Sequence, residues 1–367
     1  MFPVMTTASR KNGILFILLL AAMLIYSLPR LVSFASHEQQ ALALYQSGEL
    51  SRKFEQRYDS QFFIRDAAIE AWATLQYLLF KEGAPGVVVG RDGWLFTNEE
   101  YLVPANYATV LQGHMAHVTR VQAQLQAQGK QLILLPVPMK LDIYAEHSER
   151  QIPERVSQVY DDFLQQLQSE GIAVAPIRSA FLAQAPSEKL YLSHDTHWTP
   201  AGAQLAATTF AAAFPELKGT TAYQSHPRGE KELAGDLTHF LKVHPQAAPE
   251  IFTPDVIPLF ETLKTSNSLD DGALFGEAAE SIALVGSSYT KIDDWNFAGF
   301  MKEALQQDLV VKAVEAKGPF QAMEDFLASP LLTNADIQTV VWEFPVRVLL
   351  TQDSTVPGWQ KQLDDLF

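Results

Sequence analysis

The stretch Ser281-Ile-Ala-Leu-Val285-Gly286-Ser287-Ser288-Tyr289-Thr290 runs from an apolar segment straight into a glycine and two serines. A short apolar run bounded by turn residues reads as a buried strand. A serine on the sharp turn leaving such a strand has its Oγ lifted out of the sheet, and the turn frees backbone N–H groups to bind an oxyanion. Ser288 is the better candidate nucleophile, with Gly286 allowing the tight turn, and Ser287 is the fallback. On its own, Gly-Ser-Ser after a strand is more common as plain turn chemistry.

Further out, Gln131-Leu-Ile-Leu-Leu-Pro-Val-Pro138, Ile172 to Ile177, Leu309 to Val314 and Thr339-Val-Val-Trp-Glu-Phe344 read as strands of the same kind. Between them the periodicity predicts helices over Val103 to Gln128, ended by Gly129, over Pro153 to Glu170, around Arg178 to Ala185, over Trp295 to Asp308 and over Phe320 to Leu327. Strands alternating with helices argue for an α/β domain with a mostly parallel central sheet and helices on both faces. Val87 to Phe96 reads as two short strands joined at Arg91-Asp92-Gly93. Residues from about 215 to 280 are rich in Pro, Gly, Thr and His and lack long periodic runs, so an irregular insertion or cap over the site is expected there. Lys140, Asp142 and Tyr144 follow the 131–138 strand, and ligands of open α/β sheets gather beyond strand carboxyl ends. That makes Lys140 a candidate site-wall residue, with a solvated loop lysine the equal alternative.

A second polar group stands in Tyr191-Leu-Ser-His-Asp195-Thr-His197-Trp-Thr-Pro200-Ala-Gly202. Thr199 is a natural N-cap, Pro200 a natural first helical residue, and Ala203 to Phe214 is rich in Ala. Asp195 and His197 therefore sit in the turn before a helix, where residues two apart can face each other. An Asp so placed holds the imidazole in one tautomer and stabilises the imidazolium. The positive helix N-terminus nearby favours a neutral resting imidazole. His194, Asp195 and His197 read equally as metal ligands or a capping cluster, but a metal needs a further ligand that the sequence does not nominate, so no metal is expected.

At 367 residues the chain holds one large domain or two modest ones. With 27 basic against 42 acidic residues the net charge is −15, which argues against nucleic acid or an anionic membrane surface as the main partner. No cysteine is present, which excludes disulfides, thiolate metal sites and a Cys nucleophile. Arg10 and Lys11 precede an apolar run from Gly13 to Leu28 that resumes after Pro29-Arg30, so residues 1–36 form a membrane-directed helix, either a signal peptide cleaved near Ser33-Phe34-Ala35 or an uncleaved signal anchor. As an uninterrupted run it is short of the roughly 20 residues of a full span. The positive flank stays in the cytoplasm and the rest is exported. The expected divisions are a helical linker over 37–82, the α/β domain over 83–350 and a tail over 351–367.

Taken together, Gly90-Arg-Asp-Gly-Trp-Leu-Phe96, Pro136-Val-Pro-Met-Lys140, Asp195-Thr-His-Trp198, Gly235-Asp-Leu237, Gly286-Ser-Ser-Tyr-Thr290, Asn296-Phe297 and Trp342-Glu-Phe-Pro345 with Arg347 resemble the alginate O-acetyltransferase family of the AlgJ and AlgX type. The resemblance covers about Phe54 to Arg347, and the N-terminal anchor with no evident C-terminal carbohydrate-binding module is more like the AlgJ branch. It implies an SGNH-hydrolase-like, three-layer α/β/α domain in which Asp-x-His precedes the serine. Ser288 would be the nucleophile, His197 the base and Asp195 the orienter. The implied activity is transfer of acetyl groups, through an acetyl-serine intermediate, to hydroxyls of an exopolysaccharide such as alginate or cellulose in the periplasm at the inner membrane. A membrane-bound O-acyltransferase partner would supply the acetyl groups, with no cofactor. The Ser288 N–H is the first oxyanion donor, followed by Tyr289, Asn296 and Arg347, whose ordinary roles would be packing, helix capping and surface charge. Two other readings fit the same residues: an acetylesterase with the same triad, and a non-catalytic polysaccharide-binding subunit with Trp94, Trp198 and Trp342 as sugar platforms.

Overall fold

The computed structural model describes residues 4–38, 40–244, 247–265, 281–315 and 320–351, so the end of the 215–280 segment and nearly all of the 351–367 tail lie outside the described residues. The chain divides into two compact units, Met1–Trp72 and Ala73–Phe367. In the first, one helix covers Val4–His37 and passes through Pro29 without ending there. Beside the proline, Arg30 Nη1 donates to Tyr26 O at 2.9 Å. Arg10–His37 forms an apolar stretch of 28 residues, roughly 42 Å of helix at about 1.5 Å per residue, against a hydrocarbon core of about 30 Å. Helices Ala41–Gln46, Glu49–Ser60 and Arg65–Phe80 follow, the last running across the boundary between the units.

In the second unit, β1 (Val87–Val89) and β2 (Leu95–Thr97) form the expected hairpin. Asp92 and Gly93 both adopt positive φ at its turn, which twists the two strands together. The remaining strands are β3 (Gln131–Val137), β4 (Ala173–Val174), β5 (Tyr223–Leu233), β6 (Asp255–Lys264), β7 (Ile282–Gly286), β8 (Val310–Ala313) and β9 (Thr339–Pro345). Five of them make an all-parallel sheet in the order β4-β3-β9-β7-β8. The central strand β9 is buried along its whole length, which suits its nearly continuous Val-Val-Trp-Glu-Phe run. Each such apolar side chain contributes about 1.5–3 kcal/mol by leaving water. The chain leaves β3 towards one edge and β7 towards the other. The carboxyl ends of β3, β9 and β7 therefore frame the crevice where ligands of open parallel sheets bind.

Three expectations need correction. The 172–177 strand pairs only at Ala173 and Val174, because it is an edge strand cut short by Pro176, which has no N–H to offer. Within the described part of the 215–280 segment the expected irregularity does not hold: β5 and β6 form an antiparallel ribbon from Tyr223↔Lys264 to Leu233↔Asp255, with a bulge between Pro227 and Gly229. Its residues are mostly exposed, so they carry charges, Pro and Gly where a half-buried strand would alternate apolar residues. The helix expected from Trp295 begins instead at Phe297, because Asn296 takes the left-handed conformation with φ 51°. Trp295 is left in the preceding turn.

Candidate active site

The turn after β7 is built by its own side chains. A Cβ on Gly286 would lie 2.2 Å from Thr290 Oγ1 and 2.6 Å from Glu343 Oε2, so only glycine fits. Ser287 caps the short helix Ser288–Lys291, its Oγ accepting from Tyr289 N. Its Oγ and N both donate to Glu343, each at 2.8 Å. Ser287 is thus a support, and Ser288 carries the free hydroxyl, whose Oγ lies 2.7 Å from His197 Nε2. The N–H of Ser288 begins the helix and has no acceptor within it.

The partner turn is closed by a bridge between Tyr191 and Trp198 and by Leu192 N donating to His197 O at 3.1 Å. Thr199 accepts from Gly202 N and starts helix Pro200–Ala213, as the sequence predicts. His197 Nδ1 donates to Asp195 Oδ1 at 2.6 Å, which leaves Nε2 to accept the Ser288 hydroxyl proton. Asp195 is held in turn by His197 N at 2.9 Å and Asp236 N at 2.8 Å. Burial alone would raise its pKa, but these bonds and the imidazole hold the carboxyl well below the usual range. Burial likewise pulls His197 down, yet the Asp195 hydrogen bond and charge outweigh it and set the imidazole above its ordinary value. The Trp295 ring stacks on His197 at 5.5 Å and 22°.

The other predicted residues have different places. Lys140 is buried, and its ammonium donates to Leu95 O at 2.6 Å, Ser193 O at 2.9 Å and Asp195 O at 3.0 Å. Burial lowers its pKa to about 7. It is a brace under the Asp195 turn rather than a substrate-facing wall. Asn296 donates to Thr262 Oγ1 of β6 at 2.9 Å and so ties the ribbon to the turn rather than offering its amide to Ser288. Tyr289 Oη donates to Thr196 O at 2.5 Å and accepts from Arg347 at 2.9 Å, while Arg347 also pairs with Glu99 at 3.4 Å. Arg347 is therefore no loose surface charge. Trp94, Trp198 and Trp342 are buried, which removes them as sugar platforms.

Three carboxylates were given no role in the sequence reading, although Asp236 and Glu343 stand in its motifs. Asp236 accepts from Thr196 N at 2.9 Å and from Thr196 Oγ1 at 2.6 Å. Glu343, fully buried in β9, accepts from Ser287 and from Thr290 Oγ1 at 2.7 Å; burial raises its pKa and these bonds oppose the rise. Glu100 accepts from Lys140 N at 3.2 Å and Leu141 N at 2.7 Å. The signals for Asp236 and Glu343 were a Gly-Asp pair and a lone Glu inside an apolar strand, and Glu100 carried none. Among the described residues, the one group with metal-ligand spacing is Asp195, His197 and Asp236, not the His194 set. Its Asp195 and His197 atoms are already bonded to each other.

A five-stranded parallel sheet with a Ser–His–Asp hydrogen-bonded line at its carboxyl edge is an arrangement suited to acyl transfer through a serine. Residues 87–346 match the family described as SGNH hydrolase-like domain, acetyltransferase AlgX, and the chain belongs to that family. It is 35% identical over 360 residues to the probable alginate O-acetylase AlgJ of Pseudomonas putida, covering 95% of this chain and 92% of that protein. It is 36% identical over 317 residues to the AlgJ of Pseudomonas aeruginosa, covering 83% and 80% of the two chains. Among solved structures, the O-acetyltransferase domain of P. putida AlgJ superposes with a TM-score of 0.66 at 31% identity, covering 77% of this chain and 100% of that domain. P. aeruginosa AlgX shares the fold, with a TM-score of 0.53 at 21% identity, over 72% of this chain and 67% of its own.

Proposed function

We propose that this chain is an alginate O-acetylase that works through an acetyl-Ser288 intermediate. In the first half-reaction His197 Nε2 takes the Ser288 proton as Oγ attacks the donor's acetyl carbonyl, and returns it to the leaving group as the donor bond breaks. In the second, an alginate hydroxyl gives its proton to His197 and attacks the acetyl ester, and Ser288 Oγ leaves with that proton. The Ser288 N–H, which has no acceptor within its helix, is the donor assigned to the developing oxyanion. Asp195 keeps the imidazole in the tautomer that both halves require. The observation that carries this reading is the unbroken line of 2.7 Å and 2.6 Å contacts from Ser288 through His197 to Asp195.

The apolar helix Arg10–His37 and the AlgJ relatives support a periplasmic domain tethered to the inner membrane. A membrane-bound O-acyltransferase is the fitting acetyl source at that place. The test is intact-mass spectrometry of the purified protein after brief exposure to an activated acetyl ester, followed by addition of alginate oligosaccharides. An adduct of one acetyl group that needs Ser288 and moves to the oligosaccharide is expected. An adduct lost only to water makes the protein an esterase, and no adduct in the wild type removes the triad reading.

A further inference from the structure

The turns that carry Asp195 and Asp236 clasp each other. Asp236 N donates to Asp195 Oδ2 at 2.8 Å, Leu237 N donates to His194 O at 3.1 Å, and the Asp236 carboxylate takes both Thr196 N and Thr196 Oγ1. Gly235, at φ 88°, makes this approach possible, because a Cβ there would lie 2.2 Å from His194 O. The clasp leaves Asp236 Oδ2 3.9 Å from His197 Nδ1, on the ring edge that Asp195 already occupies. A hydrogen bond to Thr196 alone would not require a carboxylate so close to the imidazole.

We propose that Asp236 is a positioning residue that makes His197 a two-carboxylate base: Asp195 receives the Nδ1 proton, while Asp236 clamps the turn through Thr196 and adds a second negative charge beside the same nitrogen. The inference rests on His197 acting as the base of the proposed transfer. The groups facing the ring divide by sign. Asp195 and Asp236 favour the imidazolium, whereas burial and the Arg347 charge oppose it. Glu343 lies under the nucleophile turn and is electrostatically coupled to His197, while Trp295 and Tyr289 contribute apolar ring contacts at 5.5 Å and 4.8 Å. Burial and the Asp195 charge raise the pKa of Asp236 itself, while His197 and the two Thr196 bonds oppose the rise; its side chain is the most exposed of the three carboxylates, at 40%, so its charge can be removed with little repacking.

The test is the pH–rate profile of acetyl-ester hydrolysis by the full-length protein in detergent, alongside the titration of His197 followed by NMR on histidine-labelled protein. Asp236→Asn is expected to move the acid limb and the His197 titration down by about one pH unit, the size of one close charge. The plateau rate should fall by about tenfold, far less than the roughly 10⁴ that loss of a triad aspartate costs. Asp236→Glu should return the limb towards the wild-type position, and Thr196→Val, which loosens the clamp but keeps the charge, should leave it in place. A limb unmoved in Asp236→Asn, or moved as far in Thr196→Val, overturns the proposal while the triad stands. A wild-type limb that does not follow the His197 titration takes both down.

Discussion

Replacing the two adjacent serines one at a time should separate stability from activity. Ser287 Oγ donates to the buried Glu343 carboxylate at 2.8 Å and accepts from Tyr289 N at 3.3 Å. Ser287→Ala removes one hydrogen bond to a charged group, about 1.5–3 kcal/mol, and one helix cap, about 1 kcal/mol. The expected destabilisation is therefore about 3 kcal/mol, which lowers Tm by roughly 5–10 °C in a domain of this size. Ser288 makes a single neutral contact, to His197 Nε2 at 2.7 Å at a half-exposed position. Ser288→Ala should cost no more than about 1 kcal/mol, yet abolish acetyl-enzyme formation and lower ester turnover by about 10⁴ or more. Urea denaturation, with m-values compared, reads the first effect, and mass spectrometry with an activated ester reads the second. Ser287→Thr, which keeps a hydroxyl, should recover most of the stability. An acetyl adduct that persists in Ser288→Ala, or a Ser287→Ala protein of full stability that forms none, would refute the assignment of roles at this turn.

Three further outcomes follow from the geometry. Because Asp195 holds His197 above its ordinary value, ester turnover should fall on acidification with a limb above about pH 6.5; the base works only when neutral, so activity is lost as pH drops through the raised pKa, and a limb below that point would contradict the hydrogen-bonded pair. Gly235→Ala should destabilise by at least about 2 kcal/mol through positive φ and the contact with His194 O, whereas Gly229→Ala, with positive φ but open space around it, should cost about 1 kcal/mol, as compared by thermal denaturation. Lys140→Met removes the ammonium that three carbonyls share, of which Ser193 O keeps the Leu95 N–H, and should cost about 3 kcal/mol, with a loss of turnover because one of those carbonyls belongs to Asp195.

The parallel sheet was legible because its strands are buried on both faces and so are written as short apolar runs between helical periods. The 282–286 and 339–345 strands were read to within a residue or two for that reason. The ribbon of β5 and β6 was not legible, since its stability comes from cross-strand pairing of residues that mostly face solvent. Nothing in Pro227-Arg-Gly-Glu-Lys231 alternates in polarity. The start of the helix at Phe297 escaped for a different reason. Trp295 and Phe297 continue an apolar pattern, and a left-handed Asn296 between them leaves no periodic trace.

The same contrast divides the site. Asp195 and His197 stand two residues apart before a capped helix, and Ser288 ends a strand, so each announces itself locally. Asp236, Glu343 and Glu100 are 41, 55 and 40 residues from Asp195, Ser288 and Lys140 respectively, and their meaning lies only in what they accept. Each takes at least one backbone N–H of the turn it supports: Thr196 N, Ser287 N, and Lys140 N with Leu141 N. A carboxylate is the residue for that task because it accepts two or three bonds at once and holds them more strongly than a neutral amide in a low dielectric. Burial opposes its ionisation, so the arrangement is favourable only where every lone pair facing the turn has a donor. That condition is met by tertiary contacts between three chain segments. The proposed catalytic residues can therefore be read from their local turns, while the rigidity that brings Ser288 to 2.7 Å from His197 resides in acids whose partners lie in other chain segments.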